Sequence, residues 1–402
     1  MRIVIDLRTS HKTGVFRYGT NIVKSIMKNY RKNNYLIIHN SVNENELFEL
    51  LEVRGQCIEF YFPKSDWLFF RDCNEIREKI HNWKADIYYS VNYMIDWKIS
   101  APIVSTIHDL IRIKFPELSY TEETFCKKFG LNEHNKLASI FNTIENPLDI
   151  NQKFLSVFFD LTKKIIDASS TVVTCSAISK DDIAEVYKVK QDEKIEVIPA
   201  AVRQDIFCKR TSDEIITIKD KYNIIGDYVV YVGLAHPHKR LDLILKVLSL
   251  NIGDIPTDSK LVIVGNKADI IGKLGQYILD EKLQSSIIFA EGISDDELAC
   301  IYSGAEALII ASIYEGFCLP ALEALSCGTE VISTDIPVIR DNLKDYCHYY
   351  SSNDVDLLKA LTNKALNKKL ENKNIEFNNL FSWNKASNRL MDIFMKIGGR
   401  KK

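Results

Sequence analysis

The chain has 402 residues, 46% hydrophobic and 26% charged, with a formal net charge of −2. That length can bury a core for about two domains, and so balanced a charge gives no electrostatic footing for nucleic acid, whose binding wants a basic face. No apolar run approaches the ~18 residues of a membrane-spanning helix. The nine cysteines include no C-x-x-C pair, and Cys175, Cys300, Cys318 and Cys327 lie in apolar or helical settings, which reads as reduced thiols in a cytoplasmic protein.

Met1-Arg2-Ile3-Val4-Ile5-Asp6 opens as a strand and lacks the form of a signal peptide. Short β-rich runs follow at Tyr35–Ile38, Ile58–Phe62, Ile87–Val91, Ile103–Ile107 and Thr171–Cys175, separated by helical patterns. Two turns in this half stand at strand ends. Thr13-Gly14-Val15-Phe16-Arg17-Tyr18 follows the first strand and opens a helix, and Thr106-Ile107-His108-Asp109-Leu110 follows the fifth. The segment Glu122–Asp167 has a helical pattern broken at Asn146-Pro147, and reads as an elaboration over about 119–168. A strand ends near Ile198-Pro199-Ala200-Ala201-Val202, before the charged stretch Arg203–Asp220, so the hinge is expected around 200–215.

The alternation then repeats: Tyr228–Val232, Leu261–Val264, Ile287–Ala290, Ala307–Ala311 and Glu330–Ser333 are the expected strands. Strand and helix in alternation predict an α/β protein with two parallel, doubly wound sheets. Ser294-Asp295-Asp296-Glu297 has the form of a capping box, and Trp383–Ile397 that of an amphipathic last helix before a basic tail.

Two segments of the second half carry chemistry. Gly233-Leu234-Ala235-His236-Pro237-His238-Lys239-Arg240-Leu241 follows a buried strand and sets cations at the sheet's C-terminal edge, where open α/β folds gather ligands. Tyr314-Glu315-Gly316-Phe317-Cys318-Leu319-Pro320 runs from the next such strand into a short helix that contains Glu323 and ends before Gly328. Glu315 is thus on the loop and Glu323 on the helix. The N–H groups of Gly316 to Leu319 point out of the helix start, where peptide dipoles favour a phosphate. The plainer alternative is two solvated carboxylates beside an ordinary helix start.

Three patterns carry no function. Asn266-Lys267-Ala268-Asp269 matches a guanine-recognition element, but no phosphate-binding G-x-x-x-x-G-K-[ST] loop accompanies it. Asp354-Val355-Asp356 reads as a helix cap. No cluster has zinc-ligand spacing, so no metal is expected.

From Glu315 to Gly328 the sequence resembles the E-x7-E signature of retaining glycosyltransferases of family 4, whose fold is GT-B: two Rossmann-like doubly wound domains facing a central cleft. The resemblance extends from Ile5 to Trp383. It implies an acceptor-side domain at 1–205, a nucleotide-sugar domain at 206–378, and a last helix at 379–402 that crosses back to the first domain. By resemblance, Glu315 lies by the transferred sugar, Glu323 binds the ribose, and Lys239 with Arg240 neutralises the diphosphate. Gly14, Gly233, Gly316, Phe317 and Leu319 line the donor, His108 reaches the sugar, and Arg17, Tyr18 and Asp109 stand on the acceptor side. The chain departs from the family at His238, where Arg is usual, at Arg240, where Asn is usual, at Phe16 for a second Gly, and at Ala200-Ala201 for Asn-Gly.

The nearest subgroup by motif resembles bacterial mannosyltransferases and rhamnosyltransferases of O-antigen and capsule assembly. The implied reaction moves a hexose, mannose first, from a nucleotide diphosphate sugar to a hydroxyl of a growing glycan or lipid-linked oligosaccharide. It retains anomeric configuration and uses no metal and no cofactor beyond the donor. Partners are then donor and acceptor, with no nucleic acid; a peripheral contact at the inner membrane face or within a complex stays open. The alternatives are a catalytically silent nucleotide-sugar binder and a nucleotide-sugar epimerase.

Overall fold

A computed structural model describes residues 1–8, 13–39, 57–61, 74–92, 98–118, 150–190, 194–251, 253–371 and 381–399. The chain forms two units, Met1–Ala200 with Ser382–Lys402, and Ala201–Phe381.

The first unit contains β1 (Arg2–Asp6), α1 (Gly14–Asn29), β2 (Asn34–His39), β3 (Cys57–Tyr61), α2 (Asn74–Trp83), β4 (Ile87–Ser90), β5 (Ile103–Thr106), α3 (Ile111–Lys114), α4 (Ile150–Ala168), β6 (Ser169–Thr174), α5 (Ala177–Tyr187) and β7 (Ile195–Val197). Its seven strands lie parallel in the order β3-β2-β1-β4-β5-β6-β7. Central strands read as unbroken apolar runs because helices cover both faces, and Ile3, Val4 and Ile5 of β1 are wholly buried.

The second unit contains α6 (Ser212–Lys221), β8 (Tyr228–Val232), α7 (Leu241–Leu250), β9 (Lys260–Val264), α8 (Lys267–Asp280), β10 (Ile287–Ala290), α9 (Asp295–Ser303), β11 (Ala307–Ile310), α10 (Leu319–Ser326), β12 (Glu330–Thr334), α11 (Pro337–Leu343), β13 (His348–Tyr350) and α12 (Val355–Leu366). Its sheet runs β10-β9-β8-β11-β12-β13, again all parallel. Ser294 and Glu297 form the expected capping box on α9. Asn266 caps α8 through the Asp269 N–H, and Asp354 caps α12 through the Leu357 N–H, so both set-aside motifs do structural work.

The chain then returns to the first unit as α13 (Trp383–Gly398). Ser25 Oγ on α1 lies 3.1 Å from the Trp383 carbonyl oxygen and 2.9 Å from Ser387 Oγ, while Leu390 and Phe394 are wholly buried. β7 is the strand expected to end near Ile198, whereas β13 extends the second sheet beyond the strands expected from sequence; it has three residues, too few to show a period. Of the expected elaboration, α4 is described and residues 119–149 lie outside the described residues, as does the tail from 400.

Candidate functional site

In the second sheet the strand order reverses between β8 and β11, which are neighbours. At such a switch point the connections leave on opposite faces and open a crevice beyond the strands' C-terminal ends. The Lys239 turn follows β8 and the Glu315 loop follows β11, so the sheet brings together two segments far apart in sequence. Lys239 Nζ donates to Glu315 Oε1 at 2.8 Å, and Ser312 Oγ donates to the same oxygen at 2.7 Å. The two charged side chains are 21% and 13% exposed. Burial alone opposes charge on Lys239, but Glu315 more than offsets it and holds the ammonium above its ordinary range. Burial likewise opposes ionisation of Glu315, and Lys239 with Ser312 reverses the balance, so its pKa is lowered.

Gly233 makes room for this pair. Its φ is +149°, and a Cβ there would stand 3.2 Å from Lys239 Cδ. Gly265, which the sequence reading did not single out, is more constrained still. A Cβ on it would fall 2.4 Å from the Gly233 carbonyl oxygen. Arg240 adopts the left-handed conformation, φ 50° and ψ 42°, at the N-cap of α7. Asn tolerates that conformation better than most residues, which gives the usual residue at this position a backbone reason. The Arg240 guanidinium reaches Asp242 Oδ2 at 3.4 Å.

Beyond Glu315 the chain enters α10 through Cys318, at φ 72° and ψ 61°. The N–H groups of Phe317, Cys318 and Leu319 make no hydrogen bond among the described residues. They are the unpaired donors of a helix start. Asn342 pins the loop by donating to the Phe317 carbonyl at 3.0 Å, and the Phe317 ring packs edge-on to Phe381. The Phe317 side chain is therefore a packing element, and its expected donor contact reduces to the backbone. Glu323 lies on the inner face of α10, 3% exposed, and accepts from the Tyr302 hydroxyl at 3.3 Å. A carboxylate expected to be open to a ribose is thus already engaged by α9. Tyr302, buried in the middle of α9, gave no sequence signal of that role.

In the first unit the order reverses between β1 and β4. His108 follows β5 and is half-buried; its Nε2 lies 2.9 Å from the Val91 carbonyl oxygen just past β4. A carbonyl can only accept, so Nε2 carries the proton and Nδ1 is left as the acceptor. Desolvation lowers this imidazole to about 4, more than the Val91 bond restores, and it is neutral near pH 7. Its carbonyl accepts from Ser179 Oγ at 3.1 Å, which fixes the backbone here.

Tyr18 corrects the expectation. It is 1% exposed, its hydroxyl donates to the Ile198 carbonyl at 3.2 Å, and its ring meets His108 edge-on at 4.9 Å. It faces inward from α1 because it shares the buried stripe of Ile22 and Ile26, so it supports His108 and does not face an acceptor. Asp109 accepts from the Ile111 N–H at 3.0 Å, a local turn bond just before α3. Gly14 has open space around it, and Arg17 lies on the first turn of α1. At the same sheet edge, Asp6 is 1% exposed and is held by Arg8 Nη2 and the Tyr88 hydroxyl, each at 2.6 Å.

Residues 212–379 match the sequence family described as glycosyl transferases group 1. The matched region covers nearly all of the second unit, including Lys239, Glu315 and Glu323. Among curated relatives, the O-antigen chain mannosyltransferase RfbU of Salmonella typhimurium is 33% identical over 195 residues, 48% of this chain and 50% of that protein. O-antigen chain mannosyltransferase B of Escherichia coli is 25% identical over 196 residues, 48% of this chain and 51% of its own. The chain spans about half the length of each. Among solved structures, Anabaena Alr3699/HepE in complex with UDP and glucose superposes with a TM-score of 0.70 at 14% identity, over 98% of this chain and 100% of that one. Sucrose-phosphate synthase from Thermosynechococcus elongatus gives 0.71 at 13% identity over the whole of both chains. The fold is therefore GT-B. In the matched region the E-x7-E carboxylates fall on either side of an α10 start at which the N–H groups of Phe317, Cys318 and Leu319 make no hydrogen bond among the described residues.

Proposed function

We propose that the chain is a retaining hexosyltransferase that moves mannose from GDP-mannose to a hydroxyl of a growing surface glycan or lipid-linked oligosaccharide. The observation that carries this reading is the 2.8 Å pair of Lys239 and Glu315 beside the α10 start. It sets a carboxylate suited to sugar hydroxyls against a cation suited to a phosphate, as the junction between a hexose and its diphosphate requires. The similarity to RfbU and to O-antigen chain mannosyltransferase B favours mannose and O-antigen chains.

Breaking the sugar–phosphate bond leaves positive charge on the ring and adds negative charge to the diphosphate. Lys239 and the N–H groups of Phe317 to Leu319 stabilise that leaving group, a preorganised electrostatic role, with Arg240 as a further cation. Glu315 orients the sugar. Glu323 meets the ribose hydroxyls, which requires it to share its bond to Tyr302 with the nucleotide. The acceptor hydroxyl attacks on the face the diphosphate leaves, and the departing phosphate takes its proton. His108, with Nδ1 as an acceptor, is the first unit's candidate contact to the sugar, and Arg17 and Asp109 remain its acceptor-side candidates.

The test is transfer from a panel of nucleotide sugars. With the sugar that is turned over, Lys239→Ala is expected to lose on the order of 10²-fold or more in turnover. Wild-type turnover in that variant would remove Lys239 from the mechanism.

A further inference from the structure

The Lys239–Glu315 pair has a third titratable neighbour that the transfer scheme leaves idle. His238 lies in the same short turn, Pro237–Lys239, directly before the ammonium. Its carbonyl accepts from the Ile313 N–H at 2.9 Å, which ties the turn to the loop carrying Glu315. Its ring stacks on His236, with centroids 5.5 Å and planes 14° apart. The charged groups that act on it are Glu315 of the loop after β11 and Lys239 of its own turn, with His236, the residue before that turn, against its ring.

These groups leave His238 a charge to gain. Burial disfavours its imidazolium, Glu315 pulls the other way, and Lys239 adds to the burial effect; the outcome is a value lowered to about 4. Near pH 7 the ring is neutral, while Lys239 and Glu315 are held charged. A nucleotide sugar's diphosphate brings two fixed negative charges and has no proton to gain near neutrality. Opposite charge at close range raises a pKa by about 1–3 units. The departure from arginine at this position thus replaces a permanent cation with one that the ligand can create.

We propose that His238 is a second contact for the donor's diphosphate, neutral in the free protein and charged in the complex, so that donor binding takes up a proton. This rests on the donor-site reading above. Donor affinity then rises as pH falls from about 8 to about 5, because the complex binds a proton that the free protein does not.

The experiment is calorimetric titration of the full chain with GDP-mannose and with UDP-glucose, in buffers of different ionisation enthalpy. Near pH 5 the uptake is expected to be about 0.4 proton or more, fading toward zero by about pH 8.5. His238→Arg should bind with no uptake and little pH dependence. His238→Gln should bind without uptake and more weakly, by about twofold or more, near pH 5. Donor binding with no uptake in the wild type, or uptake that persists in both variants, overturns the proposal and leaves the donor site standing. If neither nucleotide sugar binds, the donor-site reading falls and this proposal with it.

Discussion

His108 shows how one residue's surroundings set both its chemistry and its contribution to stability. Enclosed beside Tyr18 and bonded through Nε2 to Val91, it is held neutral, with its pKa lowered from 6.5 to about 4 by desolvation. Between those two values the unfolded chain binds a proton that the folded chain refuses. The stabilisation is therefore complete above about pH 6.5 and is lost as pH falls toward 4. His108→Gln keeps a donor for the Val91 carbonyl and removes the titration, so its unfolding free energy should change less with pH across that window. Tryptophan fluorescence reads the first unit selectively, since Trp67, Trp83, Trp97 and Trp383 all belong to it. Parallel stability profiles for wild type and variant between about pH 4 and 6.5 would show that His108 is not the titrating group. The residue's position after a strand was legible in the sequence, but its neutrality was not. That depends on Val91 and Tyr18, which only the fold brings to it.

At the scale of elements, the strands near each sheet's centre were legible because burial on both faces demands unbroken apolar runs. The three-residue edges β7 and β13 carry no such pattern, and the sheets hold them by pairing alone. The site's backbone was half legible. Gly233 lies in a motif, whereas Gly265 owes its identity to the register of β8 on β9, in which Val232 stands opposite Val264 and the two strand ends converge. No local signal could report a contact of that kind. The Gly233 N–H donates to the Val264 carbonyl at 2.9 Å, so the β8 turn is fixed at both of its faces. Gly233→Ala would put a methyl group against the Lys239 stem at a φ that L-residues rarely adopt, at a cost on the order of 1–3 kcal/mol. The expected outcome is at least a tenfold weaker donor affinity with an unchanged far-UV dichroism spectrum. Wild-type affinity in that variant would mean that Lys239 does not need the space the glycine leaves.

The molecule as a whole closes its first unit with the last segment of the chain. The amphipathic pattern of Trp383–Ile397 announces a helix but not where its apolar face goes, because every buried stripe looks alike in sequence. In the fold that stripe covers α1 and β4: Phe394 meets the Tyr89 ring with centroids 5.4 Å apart, Trp383 meets Tyr18 at 5.7 Å, and Tyr30 donates to Asn388 at 2.9 Å. Tyr18 in turn backs His108, so the chain's end supports a candidate site residue through one intervening ring. Phe394 is wholly buried, and truncating such a side chain loses its transfer energy and leaves a cavity, together about 3–5 kcal/mol. Phe394→Ala should therefore lower the urea midpoint followed by tryptophan fluorescence, a signal that comes from the first unit alone. Nucleotide binding by the second unit should survive the substitution under conditions where the first remains folded. An unmoved fluorescence midpoint would show that α13 is dispensable to the first unit's core, and would break the chain of contacts from Phe394 and Trp383 toward His108.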